Sequence, residues 1–519
     1  MKKLLFLFCL IGIQNLFAQN AKPIVSNLSI IDNGNKQLNI RFNISDAEND
    51  TLEISLKIKG ANTHKFYDVS KATGNIGKNQ LAASNLQIIW SYDSLSINEN
   101  ISIKVYADDA KHSFSVQDAL AMVDTIKMKI DMDTLEGTRH YTAGKQRLTQ
   151  IKDTIRTRFV NENLRLREQN FQYMNYTAQN IEGTLEGNIA EEEYLIIDAH
   201  FDCVSNGPGA DDNLSAVVAM LEAARVLNHF EFKRSIKFVG FDLEELGLLG
   251  SKEYVRNFLN KSEKLNAVLN FEMIGYYSER NNSQSLPAGF NIAFPDAYNK
   301  VAVDTFKGNF ITNVGNVNSS TLVNNYASMA QQYVPSLKVV SVKVPGNGTI
   351  APDLRRSDHA AFWDAGYQAL MLTDGANFRN KNYHTAFDVS DSLNFDFMSK
   401  VLKTTLATAI TLSEFSHAGM AQKDTFLVNV VGIDRQQKTS MVNIHPNPAH
   451  ISFSIDWHES MKVEQIELYN LEGKLVYKAQ ISSKTNHIID TELMPAGVYI
   501  LRLKNGQENI ERKLVIKHS

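Results

Sequence analysis

Apolar and polar positions alternate with a period of two along much of residues 22–130. Leu38, Ile40, Phe42 and Ile44 fall on one side, with Asn39, Arg41 and Asn43 on the other. Leu52, Ile54, Leu56 and Ile58 repeat the pattern, as do Ile101, Ile103 and Val105. Successive side chains of a strand point to opposite faces, so each run predicts a strand with one buried side. Asn, Asp and Gly clusters separate the runs, and several short strands in series predict a β-sandwich. Catalytic residue types do not gather there, so the region is expected to be a spacer or binding module.

The period changes over residues 131–418. Tyr194 to Ala199 is continuously apolar apart from Asp198, as a strand covered on both faces would be. Asn213 to Leu227 predicts a helix, with Leu214, Val217, Val218, Leu221 and Ala224 on one side. Further strands are expected at Ile236–Phe241, Leu265–Phe271, Leu337–Val344 and Tyr367–Leu372, and a helix through Leu246–Phe258. Strand–helix alternation on this scale predicts an α/β domain with a mixed, largely parallel sheet and helices on both faces. A polar linker is expected at 419–440. Residues 441–519 return to β-type alternation, with turns at Gly473 and Gly497.

The first residues add an address. Lys2 and Lys3 precede the apolar run Leu4–Ile13, and Phe17-Ala18-Gln19 offers a cleavage point after Ala18. The run is too short to cross a bilayer, so residues 1–18 are expected to be a secretory signal peptide and no transmembrane segment is expected. Cys9 lies within it, after residues too bulky for lipid attachment. Cys203 is then the one mature thiol, which leaves no intramolecular disulfide. The 519 residues carry a net charge of −4 and 21% charged residues, without the basic stripe that nucleic-acid binding requires.

Acidic and imidazole groups gather where the predicted strands end. His200 and Asp202 follow the first strand, and Asp211 and Asp212 open the next helix. Asp242, Glu244 and Glu245 follow the second strand, Glu272 the third, and His384 lies in a later loop. In open α/β sheets the ligand crevice lies outside the carboxyl ends of the strands. So much negative charge on one edge is unfavourable without a cation. Two imidazoles with carboxylates suit zinc, and this set exceeds one open tetrahedral site. It suffices for two zinc ions if one carboxylate bridges them, at roughly 3.5–4 Å.

His200-Phe201-Asp202, Gly209-Ala210-Asp211-Asp212-Asn213, Glu244-Glu245, Asn270-Phe271-Glu272-Met273-Ile274-Gly275, Ser357-Asp358-His359 and Tyr383-His384-Thr385 resemble the motifs of the secreted di-zinc aminopeptidases. These belong to the leucyl aminopeptidase and glutamate carboxypeptidase family of zinc exopeptidases. The resemblance implies one zinc on His200 and Glu272, another on Glu245 and His384, and Asp212 bridging, with a cis bond to Asn213. It also implies that Asp202 accepts a hydrogen bond from His200, and that Glu244 is the general base toward a zinc-activated water. A free substrate α-amine on the second zinc would confine cleavage to the N-terminal bond of peptides or proteins. Many relatives carry Asp at the place of Glu272. Relatives also often place Tyr shortly before Ser-Asp-His to hold the oxyanion. Asp353, Leu354, Arg355 and Arg356 stand there instead, with Arg356 a candidate donor.

The flanks carry resemblances of their own. Residues 22–130 resemble an immunoglobulin or fibronectin type III domain. His445-Pro446-Asn447-Pro448-Ala449, Leu468-Tyr469-Asn470-Leu471-Glu472-Gly473-Lys474 and Pro495-Ala496-Gly497-Val498-Tyr499-Ile500 resemble the C-terminal sorting domain of the type IX secretion pathway of gliding bacteria. That implies recognition by type IX machinery, passage across the outer membrane and a secreted or surface location.

Each motif also has a plainer reading. Asp211-Asp212-Asn213 alone would cap a helix, Glu244-Glu245 would favour a helix dipole, and His384 would be a surface loop residue. Their joint order and placement at strand ends outweigh these readings. Asp358 and His359 are expected to be structural. A Cys203 nucleophile lacks a separate base, and a serine hydrolase lacks its Gly-x-Ser-x-Gly elbow. A carboxypeptidase, a single-zinc glutaminyl cyclase or a catalytically degenerate adhesin remain the alternatives.

Overall fold

The computed structural model describes residues 20–425 and 442–518, apart from 34–35, 64, 93–94, 96, 98, 113, 458–462, 471–472, 482–484 and 506–507. The expected signal peptide and residues 426–440 of the expected linker lie outside the described residues. The chain divides into two units, Met1–Leu427 and Val428–Ser519.

The first unit opens with two antiparallel sheets. One pairs Ile24–Asp32, Gln37–Ser45, Leu86–Ser91 and Thr73–Gly74 in that order. The other runs Gly419–Thr425, Ile101–Asp108, Leu52–Gly60 and Gly77–Gln80. The residues expected to face inward do so: Leu38, Ile40, Phe42, Ile44, Leu52, Ile54, Leu56, Ile58, Ile101, Ile103 and Val105 are all buried in one core. Gly419–Thr425 corrects the expected linker. It pairs antiparallel with Ile101–Asp108, from Gly419 opposite Ala107 to Thr425 opposite Ile101. The segment covers what would otherwise be a bare strand edge. Its sequence, Gly-Met-Ala-Gln-Lys-Asp-Thr, lacks apolar alternation, which is why it looks like a linker.

The expected boundary at 130–131 also moves. Val116–Ala121 (α1) and Thr125–Leu135 (α2) are helices, and Ala119, Leu120, Met128, Met132 and Leu135 join the core of the α/β layer. The sign of α1 was present in the sequence as a capping box, with Ser115 and Asp118 bonding reciprocally.

After Lys145–Asn161 (α3) comes an eight-stranded sheet of Arg165–Tyr173 (β1), Tyr176–Leu185 (β2), Ala190–His200 (β3), Arg234–Phe241 (β4), Lys264–Glu272 (β5), Phe310–Asn316 (β6), Lys338–Val344 (β7) and Ala369–Thr373 (β8). Its order is β7-β6-β8-β5-β3-β4-β2-β1. The central strands β4, β3, β5 and β8 are parallel, while β2 and β6 run antiparallel to their inner neighbours. The chain passes from β3 to β4 on one side and then to β5 on the other. That reversal opens a crevice at the carboxyl end of β3, where a ligand can sit.

Alternation along the strands feeds two cores. Leu195, Ile197, Ala199, Leu269, Phe271 and Leu370 pack under the helices Ala216–Leu227 (α4) and Phe395–Ser413 (α5). Tyr194, Ile196, Val239, Phe241, Val268 and Met371 pack on the opposite face. The Tyr194–Ala199 run is continuously apolar because both faces are covered. The helix α4 begins later than expected, since residues 210–215 form a π-type turn holding the two aspartates. Ile197 is fully buried. Ile197→Ala should therefore cost about 2–5 kcal/mol in urea unfolding of the full chain, and an unshifted midpoint would contradict this packing.

The second unit has two small antiparallel sheets. Val442–His445, Ser452–Trp457 and Asn486–Asp490 form one; Leu475–Gln480, Gln465–Asn470, Gly497–Asn505 and Glu508–Ile516 form the other. Phe453, Ile455, Trp457, Leu468 and Leu501 lie in its core.

Candidate metal centre

The parallel strands β3, β4, β5 and β8 end on one edge, and their ends carry the expected residues. His200 closes β3 and Glu272 closes β5. Glu244 and Glu245 follow β4, and His384 follows β8 by a longer loop. All of them converge with Asp212.

Two groups of donors result: His200 with Glu244 and Glu272, and Asp212 with Glu245 and His384. In the first, His200 Nε2 lies 3.4 Å from Glu272 Oε2 and 3.8 Å from Glu244 Oε2. In the second, His384 Nε2 lies 3.0 Å from Asp212 Oδ2 and 3.1 Å from Glu245 Oε2. Asp212 reaches both, because its other oxygen, Oδ1, lies 3.5 Å from His200 Nε2. The Asp212–Asn213 peptide is cis, as the family resemblance implied.

The donor set suits divalent cations. The atoms His200 Nε2, His384 Nε2 and Glu245 Oε1 are buried and have no hydrogen-bond partner. Unsatisfied buried polar atoms are costly, and divalent metal held at these donor groups would satisfy them. The charges are crowded as well. Burial, opposed by His200 and reinforced by Glu272 and Glu245, holds the Glu244 carboxyl well above the usual range. Burial and the Asp212 charge push Glu245 up to about 7. Burial disfavours charge on His384, yet the adjacent Asp212 and Glu245 carboxylates raise it to about 9. Two imidazoles and four carboxylates are thus crowded into one buried site.

The surrounding residues fix this geometry. Asp202 lies against His200, with Nδ1 3.4 Å from Oδ1. Its carboxylate also accepts the backbone N–H groups of Glu244 at 3.0 Å and Glu245 at 3.2 Å. One side chain thus ties the end of β3 to the turn after β4, a role beyond the single bond expected from the sequence. Ser357 Oγ donates to Glu272 Oε2 at 2.7 Å. Asn213 bridges to β5, donating to the Phe271 carbonyl at 3.0 Å and accepting from Met273 N at 2.9 Å.

Two supporting residues belong to none of the sequence motifs. Asp388 accepts the N–H groups of Asp211 and Asp212, each at 3.1 Å, and so holds the aspartate turn. Its only sign was an acid four residues after His384. Arg139 is fully buried and donates to the carbonyls of Phe201, Pro208 and Gly209 at 2.7–2.8 Å. A lone arginine far from every motif gave no sign. Gly209 has φ +58, and a Cβ there would collide with the Asp212 carbonyl oxygen, so glycine is required at that turn.

Cys203 is buried, accepts from Arg139 N at 3.0 Å, and burial raises its thiol. Asp358 and His359 are fully buried, and burial pushes His359 down to about 3, so it stays neutral. Beside Glu272 a pocket, partly open to solvent, runs across β8 and β6. Phe290, Phe310, Val340, Leu354 and Met371 line it, with Arg356 and Tyr383 also in its wall.

Comparison with known proteins places this arrangement. Residues 180–409 match Peptidase family M28, and residues 443–517 match the Secretion system C-terminal sorting domain. The latter marks the chain for export by the type IX route. No helix among the described residues is long and apolar enough to cross a membrane. The uncharacterised protein YfbL of Escherichia coli is 30% identical over 268 residues, which is 49% of this chain and 77% of YfbL. Aminopeptidase YwaD of Bacillus subtilis is 42% identical over 105 residues, covering 20% of this chain and 23% of YwaD. The LapA aminopeptidase structure from Legionella pneumophila aligns at 23% identity and a TM-score of 0.44, over 59% of this chain and 76% of that one. The family match spans the strands whose ends carry both donor groups, and with most of YfbL covered as well, this chain belongs to peptidase family M28 and is a zinc metallopeptidase.

Proposed function

We propose that the chain is an aminopeptidase with two zinc ions, one held by His200 and Glu272, the other by Glu245 and His384, with Asp212 shared. The observation that carries this reading is Asp212 itself, whose two oxygens face the two histidines of separate donor groups. Bound zinc would supply Lewis acidity, lowering the pKa of water from 15.7 toward ~7 and polarising a carbonyl.

The protein's own residues supply the rest. Glu244 takes the proton of the attacking water and returns it to the leaving amine. Asp202 holds the Glu244 backbone, so the base is delivered at a fixed distance from His200. The cavity beside Glu272 takes the side chain of the residue released. The surrounding carboxylates favour the ammonium of a free N-terminus over a carboxylate. Relatives named as aminopeptidases, YwaD and the leucine aminopeptidase 2 of Trichophyton rubrum, support the same reading.

A carboxypeptidase reading draws on one observation, the Arg356 guanidinium in the cavity wall. A panel of aminoacyl anilides, free dipeptides and N-blocked peptides separates the two. Chelator-sensitive cleavage of the free-amine substrates is expected, and cleavage of blocked peptides alone would overturn the aminopeptidase assignment.

A further inference from the structure

Arg356 stands where the chain enters Ser357-Asp358-His359, and the Ser357 hydroxyl is bonded to Glu272. The backbone beside Arg356 is therefore anchored to the first donor group. The side chain shares the wall of the apolar cavity with Glu272 and Tyr383. Its Nη1 donates to Asn377 Oδ1 at 3.1 Å and its Nη2 to the Tyr383 hydroxyl at 2.8 Å. Tyr383 in turn stacks on the His384 imidazole, with ring centroids 3.7 Å apart. The guanidinium is thus tied through Tyr383 to the second donor group, while the next residue along the chain, Ser357, bonds the first.

A guanidinium has five N–H donors, and these two bonds leave others free. Its carboxylate neighbour is Asp353, 3.8 Å from Nη1, with both side chains 44% exposed. An exposed pair at that distance neutralises little of the charge. An oriented cation with spare donors, beside the carboxylates at which a peptide bond would be cut, is suited to stabilise an oxygen that gains negative charge.

We propose that Arg356 donates a hydrogen bond to the carbonyl oxygen of the scissile peptide and stabilises the charge it acquires, with Asn377 and Tyr383 as positioning residues. This rests on the hydrolytic reading above. As the water oxygen bonds to the carbonyl carbon, the π pair moves onto the carbonyl oxygen, which Arg356 holds, and Glu244 takes the water's proton. The pair then returns, the C–N bond breaks, and that proton passes to the leaving nitrogen. Arg356 stays protonated throughout and is a stronger charge partner than a neutral phenol.

The test compares the full-length protein with Arg356→Met, Arg356→Lys and Tyr383→Phe. Substrates are aminoacyl 4-nitroanilides, which lack a carboxylate, and matched dipeptides. Bound zinc and the affinity for the phosphonic acid analogue of leucine are measured on the same preparations. Arg356→Met should lower kcat on the anilide by about 10²–10³-fold, change KM little, leave zinc content unaltered, and weaken the phosphonate by at least about tenfold. Arg356→Lys should recover part of the loss, and Tyr383→Phe should lower kcat less while sparing KM. An anilide kcat within a few-fold of the parent overturns the proposal, as does a loss confined to the KM of dipeptides or a loss of zinc. In each of those cases the hydrolytic reading stands. A parent protein inert toward both substrates overturns that reading and this proposal together.

Discussion

Glu244→Gln should lower kcat by about 10²–10⁴-fold while the protein keeps its full zinc content. The geometry makes this a sharp test, because two roles compete for Glu244. It lies in the same donor group as His200 and Glu272, 3.8 Å from His200 Nε2, so distance alone would also allow a ligand. Its neighbour Glu245 is the one within 3.1 Å of His384. Both backbone N–H groups are held by Asp202, which fixes the turn whichever side chain is altered. Glutamine keeps the size and loses the basicity. Zinc analysis and kinetics on the same preparation decide the matter. Zinc lost together with activity would make Glu244 a ligand, and activity within a few-fold of the parent would remove it from the reaction.

Asp212→Asn should reduce bound zinc below two per chain and lower activity at least as severely. Loss of an outer hydrogen-bond partner typically costs roughly 10–100-fold in metal affinity. Asp212 should cost more, because both of its oxygens face donor groups, at 3.5 Å from His200 Nε2 and 3.0 Å from His384 Nε2. Its backbone N–H remains bonded to Asp388, so the turn should persist and the protein should remain folded. Circular dichroism alongside metal analysis checks this. Unchanged zinc in a folded variant would remove Asp212 as the shared residue.

The central domain was legible because its signals reinforce one another. A strand buried on both faces must be apolar throughout, and Tyr194–Ala199 is, save for Asp198; a strand end that carries acid or imidazole then stands out, as His200 and Glu272 do. The sandwich faces were equally plain, since period-two alternation is local. Gly419–Thr425 was not legible, because what makes it a strand is the open edge of Ile101–Asp108, distant in sequence. The supports of the site were hidden for the same reason. Arg139 acts through backbone carbonyls far along the chain, and Asp388 through backbone N–H groups. The motif around Asp202 points to His200 alone, because its hold on the Glu244–Glu245 turn depends on how β3 and β4 lie side by side. The cavity beside Glu272 draws its walls from several strands and a loop, so no stretch of sequence announces it.

The most direct measurement is the zinc content of the purified full-length protein after chelation and stepwise zinc return, with aminoacyl anilide hydrolysis followed at each step. The expected result is two zinc ions per chain at full activity, since the Asp212 oxygens face two donor groups. Full activity at one zinc per chain, or activity that survives complete removal of metal, would contradict it.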